Sequence, residues 1–294
     1  MKDIELLNKI NSFDKSWCYQ YQRRLDTLEE DKETLGWDDE FISNIKLDDF
    51  VFNAVTTKDE KEECKEFIKR YEWLGTIGQF PTHWFTARYN GILGGVVIFG
   101  KPNSLSKLLG EDTKNIESLI SRGASASWCP KNLASKFIAW CMRWMVDNTQ
   151  YRIFTAYSDP QAKERGVIYK SLNFFYLGQG NGGSIRCVHP YDKTKLISDR
   201  TFRARSFYKR YCKDLGIEPQ PNWFDRSIVL WENIPDDIEK RLRDYSKEMY
   251  AKSEKIMFPK KRKWVYILGK DKGETKYLRK KFLERNKVFE YPND

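Results

Sequence analysis

The chain has 294 residues, 40% hydrophobic and 15% aromatic, enough to build the core of one large domain or two small ones. Its longest apolar run, around Gly91 to Gly100, is about half of a membrane span, and the opening MKDIELLNKI lacks the basic-then-apolar profile of a secretory leader, so a cytoplasmic protein with no membrane segment is expected. The formal net charge is +10, and six cysteines without CxxC spacing, with His83 and His189 as the only histidines, signal neither a zinc site nor a disulfide framework.

In chain order, residues 1–44 read as a helical arm. The stretch QYQRRLDTLEEDKETLG is polar nearly all round and Gly36 is a stop signal. From about Lys46 strands and helices alternate: a strand near DDFVFNAV, then the helix KDEKEECKEFIKRYEWL. The run WFTARYNGILGGVVIFG is next, where Asn90-Gly91 predicts a hairpin turn. The strand SLISRGASAS leads through Pro130 into a helix with Leu133, Phe137, Trp140, Cys141 and Trp144 on one face. RIFTAYS predicts a strand, residues 162–171 a short helix, and FFYLGQ a strand before a turn at Gly180 to Gly183. The pattern implies a mixed sheet with helices on both faces, in a core of residues 45–192.

Charge divides unevenly along this chain. Residues 181–294 carry 28 Lys and Arg against 17 Asp and Glu, net +11, which leaves net −1 for the rest. A field of that sign concentrates polyanions, nucleic acid above all, and RTFRARSFYKRY and FPKKRKWVYILGK interleave cations with rings that could stack on bases. A basic C-terminal extension, 193–294, is therefore expected to hold double-stranded DNA through Arg203, Arg205, Lys209 and Arg210 together with Lys260, Lys261, Arg262 and Lys263. A solvated basic face is the alternative.

The order of elements resembles the GNAT acyl-CoA N-acyltransferase fold, an α/β (α+β) fold with a mixed, mostly antiparallel sheet. GVIYKSLNFFYLGQ is similar to the xxxYxxxGFxxxG segment that closes the acyl-CoA site in that fold. The resemblance implies that Tyr169 protonates the departing thiolate; a core aromatic is the plain alternative. It also implies that the turn CPKNLAS, with Lys131, Asn132, Leu133, Ala134 and Ser135, holds the pyrophosphate of acetyl-CoA or a related acyl-CoA on backbone N–H groups at a helix N-terminus. Cys129 and Asn132 depart from the R/QxxGxG/A pattern usual there.

From about Tyr71 to Trp264 the chain more closely resembles the Mom-type DNA modification proteins of bacteriophages. The stretches that carry this likeness are YEWLG, VIFGKPNS, Arg122 eight residues before PKN, AYSDP, GVIYKSLNFFYLG and PKKRKWVYILG. The resemblance implies functional positions at Arg122, Ser135, Asp159 and Tyr169. It also implies transfer of a methylcarbamoyl group to the N6 amine of adenine in phage DNA, in the host cytoplasm, as protection against restriction. Glu72 stands where the family often has a histidine proposed for catalysis or metal binding, so it is either a base or oxygen ligand, with iron implied by resemblance alone, or an ion-paired surface glutamate.

Arg122 at the end of an apolar strand should face an acid such as Asp159, or an anionic ligand. Asp159 follows a strand of an open sheet, where catalytic side chains are exposed, and is the candidate to touch the poorly nucleophilic amine. An extruded base could be received by Trp73, Trp128 and Tyr157, of which at least one is expected to be plain core. Two other functions fit the same sequence: acylation of another amine (a hypermodified thymine, a protein lysine or a metabolite), or DNA binding without catalysis.

Overall fold

The structure, a computed structural model, describes residues 3–78, 80–102, 107–110, 113, 115–180, 184–225 and 228–292. The expected turn at Gly180 to Gly183 and the end of VIFGKPNS fall largely outside these residues. The chain folds as two compact units, residues 13–181 with 260–294 and residues 1–12 with 182–259. This division differs from the expected 1–44, 45–192 and 193–294, because the C-terminal stretch re-enters the main sheet and the first helix belongs to the other unit.

The larger unit contains a seven-stranded sheet of order β1-β2-β3-β4-β5-β12-β6. Its strands are β1 (Phe50–Ala54), β2 (Pro81–Tyr89), β3 (Ile92–Gly100), β4 (Glu117–Ser125), β5 (Ile153–Ser158), β6 (Phe175–Gln179) and β12 (Arg262–Ile267). Every pairing is antiparallel except β4 with β5. The β2–β3 turn is Asn90-Gly91, both at positive φ (47° and 82°), as the sequence predicts for a tight hairpin. This is the mixed, mostly antiparallel sheet expected of a GNAT-like fold, with β1 to β6 in the order read from the sequence and β12, not expected as a strand, inserted between β5 and β6.

Helices α2 (Tyr19–Leu35), α3 (Asp39–Asn44), α4 (Lys58–Tyr71), α5 (Leu133–Asn148), α6 (Val167–Ser171) and α9 (Lys272–Leu283) complete this unit. Residues Phe154 and Trp264 point into the main core with Phe137 and Met145 of α5. Their neighbours Ile153, Val265 and Ile267 pack with Leu278 and Phe282 of α9. Side chains alternate across a strand, so α5 and α9 cover opposite faces. Helix α2 ends at Gly36 in the left-handed conformation, as expected, but is more than an arm. Its buried Asp31 accepts from the Tyr71 hydroxyl (2.8 Å), pairs with Arg70 (2.7 Å) and accepts from the Ser127 hydroxyl.

The smaller unit contains α1 (Asp3–Ser12), β7 (Ser184–His189), β8 (Asp192–Ser198), α7 (Arg205–Asp214), the short pair β9 (Phe224–Asp225) and β10 (Ile228–Val229), α8 (Asp236–Lys252) and β11 (Lys255–Phe258). A three-stranded sheet of order β11-β7-β8 carries its own core of Cys187, Phe202, Phe207, Tyr208, Tyr211 and Leu242. The rings of RTFRARSFYKRY, read from the sequence as able to stack on bases, are therefore interior. Helix α7 turns Phe207, Tyr208, Tyr211 and Cys212 inward and leaves Lys209, Arg210 and Lys213 outside, with Arg205 half-buried. Among the described residues no helix is long and apolar enough to cross a membrane.

Candidate active site

Strands β4 and β5 pair over three residues only, Glu117–Leu119 with Ile153–Thr155. Beyond them the strands part, β4 continuing to Ser125 beside β3 and β5 to Ser158 beside β12. The parting ends lead into two loops; the expected cofactor residues 131–135 lie on or just after the first, Asp159 and Tyr169 on or just after the second, whereas Arg122 lies within β4 and Glu72 after α4.

The loop after β4 enters α5 through Asn132, whose φ of 72° is left-handed and whose side chain makes no cap. Leu133 N–H is satisfied by the Pro130 carbonyl (3.3 Å) and Lys136 N–H by Asn132 (3.1 Å), whereas Ala134 and Ser135 N–H have no backbone acceptor among the described residues. A helix opened in this way presents donors and the positive end of its dipole to an anion. Leu133 is buried in the core and can contribute through its backbone alone; Lys131 is exposed; the Ser135 hydroxyl is turned back onto the Asn132 carbonyl (2.9 Å). Cys129, where the pattern has Arg or Gln, is buried and donates to the Gly94 carbonyl (3.0 Å), so it serves the packing of the turn.

The loop after β5 carries Asp159. One carboxylate oxygen accepts from Gln161 N–H (3.0 Å) and caps a single 3-10 turn; the other lies 3.3 Å from Lys261 Nζ. The expected partner, Arg122, is elsewhere engaged: Nε and Nη1 each donate at 2.6 Å, to the Thr76 and Ser121 carbonyls. It braces the segment after α4 against β4, because a guanidinium with several donors satisfies two carbonyls at once.

Glu164, which no motif singled out, joins the parts. It accepts from Asp159 N–H (2.7 Å) and from the Trp73 indole N–H (2.8 Å). Burial pushes its carboxyl above the usual range, against the pull of those two donors. Its charge also reaches Tyr169, whose hydroxyl is pushed up first by burial and then by Glu164. The Tyr169 ring lies between Phe174 (5.2 Å) and Trp264 (5.8 Å). Trp264 itself donates to Ser158 Oγ at 2.9 Å. An acid five residues after Asp159 and two before Gly166 was the one available signal for Glu164, and it has no periodicity to mark it.

The three aromatics expected to receive a base are not brought together. Trp128, 2% exposed, stacks on Phe50 and meets Trp37 edge-on in the core. Trp73 is buried against Tyr19. Tyr157 alone is open, at 38% exposure, beside Lys263 in the β5–β12 register. Glu72 is not at the surface: it is buried at the end of α4 and accepts from Gly75 N–H (2.6 Å). Among the described residues no three His, Cys, Asp or Glu side chains gather to hold a metal, so the residues around Glu72 do not fit an iron site.

The expected DNA contacts also separate. Arg262 is 6% exposed inside β12, and burial lowers the Lys263 ammonium. Lys260 and Lys261 remain at the surface, Lys261 beside Asp159. On the smaller unit Arg203 pairs with Asp199 (3.3 Å), Arg210 lies 4.0 Å from the Tyr191 ring, Lys209 lies 5.5 Å from the Phe224 ring, and Arg205 is half-buried.

A family model described as the Mom protein family matches residues 53–210. No curated protein matches the chain. Among solved structures the chain is similar to a GNAT family acetyltransferase from Elizabethkingia anophelis with acetyl-CoA bound, at 10% identity and TM-score 0.33 over 75% of this chain and 99% of that one. It is also similar to the ribosomal-protein-S5-alanine acetyltransferase from Vibrio fischeri, at 9% identity and TM-score 0.35 over 52% and 91%. An N-acetyltransferase from Staphylococcus aureus Mu50 follows at 18% identity and TM-score 0.28 over 47% and 71%. Likeness at this level does not bear on activity.

Proposed function

The chain belongs to the Mom protein family, and from that premise we propose that it is an acyltransferase of the GNAT type that modifies DNA, moving an acyl-CoA-derived, methylcarbamoyl-type group to the N6 amine of adenine. The observation that carries this reading is the convergence of Asp159, Glu164 and Tyr169 on the segment that follows β5, beside the parting of β4 and β5.

The α5 N-terminus suits the pyrophosphate of the acyl donor, held by the N–H groups of Ala134 and Ser135 with Lys131 nearby. Bound there, the donor would supply an activated carbonyl with a thiolate leaving group. The Tyr169 hydroxyl, whose proton loss burial and the Glu164 charge both oppose, is the proposed donor of a proton to the leaving sulfur. The Asp159 carboxylate, steadied by Lys261 and by its own 3-10 turn, is the acceptor for the amine proton as the new C–N bond forms. Glu164 is a positioning residue, which acts by fixing the Asp159 backbone. In a duplex the target amine is paired, so the adenine must leave the stack before this carboxylate can reach it. Lys260 with Arg203, Lys209 and Arg210 are the proposed phosphate contacts, and their role is evasion of host restriction only through the modification they enable.

The deciding experiment is nucleoside analysis of DNA from cells expressing the protein. A mass-shifted deoxyadenosine is expected. A shifted thymidine, or unmodified DNA together with acylated protein, would replace the adenine reading with one of its rivals.

A further inference from the structure

The basicity of the C-terminal third is not evenly shared. Residues 182–259 hold 16 Lys and Arg against 12 Asp and Glu, whereas residues 260–294, less than half that length, hold 12 against 5. Part of this second group surrounds a groove of about 1080 Å³ in the larger unit, lined by Arg143, Lys270, Lys272, Lys276, Arg279 and Lys280, with Asp271 and Glu284 as its acids. Leu268 and Leu283 supply apolar lining.

The acids leave much of that charge unanswered. Asp271 is the N-cap of α9, accepting from Glu274 N–H at 2.8 Å, and Glu284 sits at the helix exit. Arg143 donates to the Gly269 carbonyl (3.2 Å), and its 3.8 Å pairing with Asp147 across exposed side chains neutralises little of its charge. Arg279 donates to the Ile267 carbonyl (3.3 Å) and lies over the rings of Tyr266 and Phe175. Lys270, Lys272, Lys276 and Lys280 are exposed and form no ion pair among the described residues. Three of these recur every fourth position, so their ammonium groups leave one face of α9 at steps of about 6 Å.

The groove lies at the end of the sheet where β12 finishes at Ile267 and β5 begins at Ile153, whereas Asp159 follows the other end of β5. At roughly 3.3 Å per residue the two ends are about 16 Å apart. The groove is therefore separate from the acyl-transfer residues.

We propose that this groove is a binding track for the phosphodiester backbone of duplex DNA, distinct from the catalytic site and from the cations of α7. Repeated cations of one sign, evenly stepped on a rigid helix above an apolar floor, match a ligand with repeated anions, and the proposal takes DNA as that polyanion on the strength of the functional reading above. Each phosphate neutralised releases condensed counterions and adds about 0.9 to the salt slope of binding.

The test compares the full chain with Lys272→Gln/Lys276→Gln/Lys280→Gln, using fluorescence anisotropy on an unmodified duplex across a range of KCl concentrations. The variant is expected to lower the log–log slope by about two to three and to weaken binding at least tenfold at low salt. Thermal stabilisation by acetyl-CoA should stay as in the parent, and Lys→Arg at the same three positions should keep the slope. An unchanged slope in a folded Gln variant overturns the proposal, as does displacement from the groove by polyglutamate with no effect of duplex DNA. If the slope falls but no modified nucleoside is found in cells, the track stands and the enzymatic reading fails. If modified adenine is found and the slope is unchanged, the track alone fails.

Discussion

The indole N–H of Trp73 donates to Glu164 Oε1 at 2.8 Å, tying the segment after α4 to the loop after β5 across 91 residues of sequence. Because burial raises the Glu164 carboxyl, the folded protein binds this proton more tightly than the unfolded chain does. The stabilising contribution of that proton is complete below the unfolded pKa, and is lost as pH rises through the raised folded value. Urea midpoints followed from about pH 4 to 8 should therefore show a falling arm, absent in Glu164→Gln. Trp73→Phe removes a donor that favours the carboxylate, so the arm should move to higher pH, whatever uniform loss the smaller ring causes. An arm unmoved by Trp73→Phe would show that the hydrogen bond does not tune Glu164.

Tyr169 and Asp159 are assigned to proton handling. Tyr169→Phe keeps the ring between Phe174 and Trp264 and removes the hydroxyl alone. Modification should fall by 100-fold or more, in the range of lost general acid–base catalysis, with duplex affinity within about twofold. Asp159→Asn should behave likewise. It would also weaken the contact with Lys261, so its DNA salt slope is the control for an indirect effect. Nucleosides quantified after single-turnover reactions give the comparison, and full activity in both variants would return the two residues to structure.

How much was legible in the sequence followed the range of the interactions. The hairpin at Asn90-Gly91, the stop at Gly36 and the Leu133, Phe137 and Cys141 part of the buried face of α5 depend on neighbours within a few residues, and each was read from local pattern. Strand β12 was not. PKKRKWVYILG looks like a basic surface segment, but Trp264, Val265 and Ile267 fill the core because the strand pairs with β5 about a hundred residues earlier. That pairing also buries Arg262 and explains why a cation run proved a poor guide to exposure. The aromatic trio failed for a similar reason: nothing local distinguishes Trp128, locked on Phe50, from Tyr157, open on β5. Glu164 escaped because its importance lies in two hydrogen bonds made across the fold.

Gly166 joins the Asp159 loop to α6 as its N-cap. Its φ is 70°, and a Cβ there would stand 2.2 Å from Cζ2 of Trp264. Gly166→Ala should therefore cost about 2 to 4 kcal/mol, combining left-handed strain with overpacking against a buried indole. It should also impair modification by displacing Tyr169 three residues on. Chemical denaturation measures the first effect. A loss under about 0.5 kcal/mol, within the range of a neutral surface change, would mean that Trp264 can give way.

The cations of α7 and of the 3-10 turn before it differ in how freely they can meet phosphate. Arg203 is exposed and shares an ion pair with Asp199, while Lys209 and Arg210 are exposed and rest on aromatic rings worth about 0.5 to 1 kcal/mol each. A phosphate can displace such contacts. Arg205 is half-buried, with an Nε that meets no hydrogen-bond partner among the described residues, so its reach to a duplex is the shortest of the four. Neutralising all four residues should therefore lower the salt slope by about two to three, and not by the nearly four that full engagement would give. Arg205→Gln alone should leave the slope unchanged while lowering thermal stability. Acetyl-CoA stabilisation should be unaffected, because the pyrophosphate donors sit at Ala134 and Ser135 in the other unit. A quadruple variant with the parent's slope would remove α7 from DNA binding and leave its cations as a solvated face.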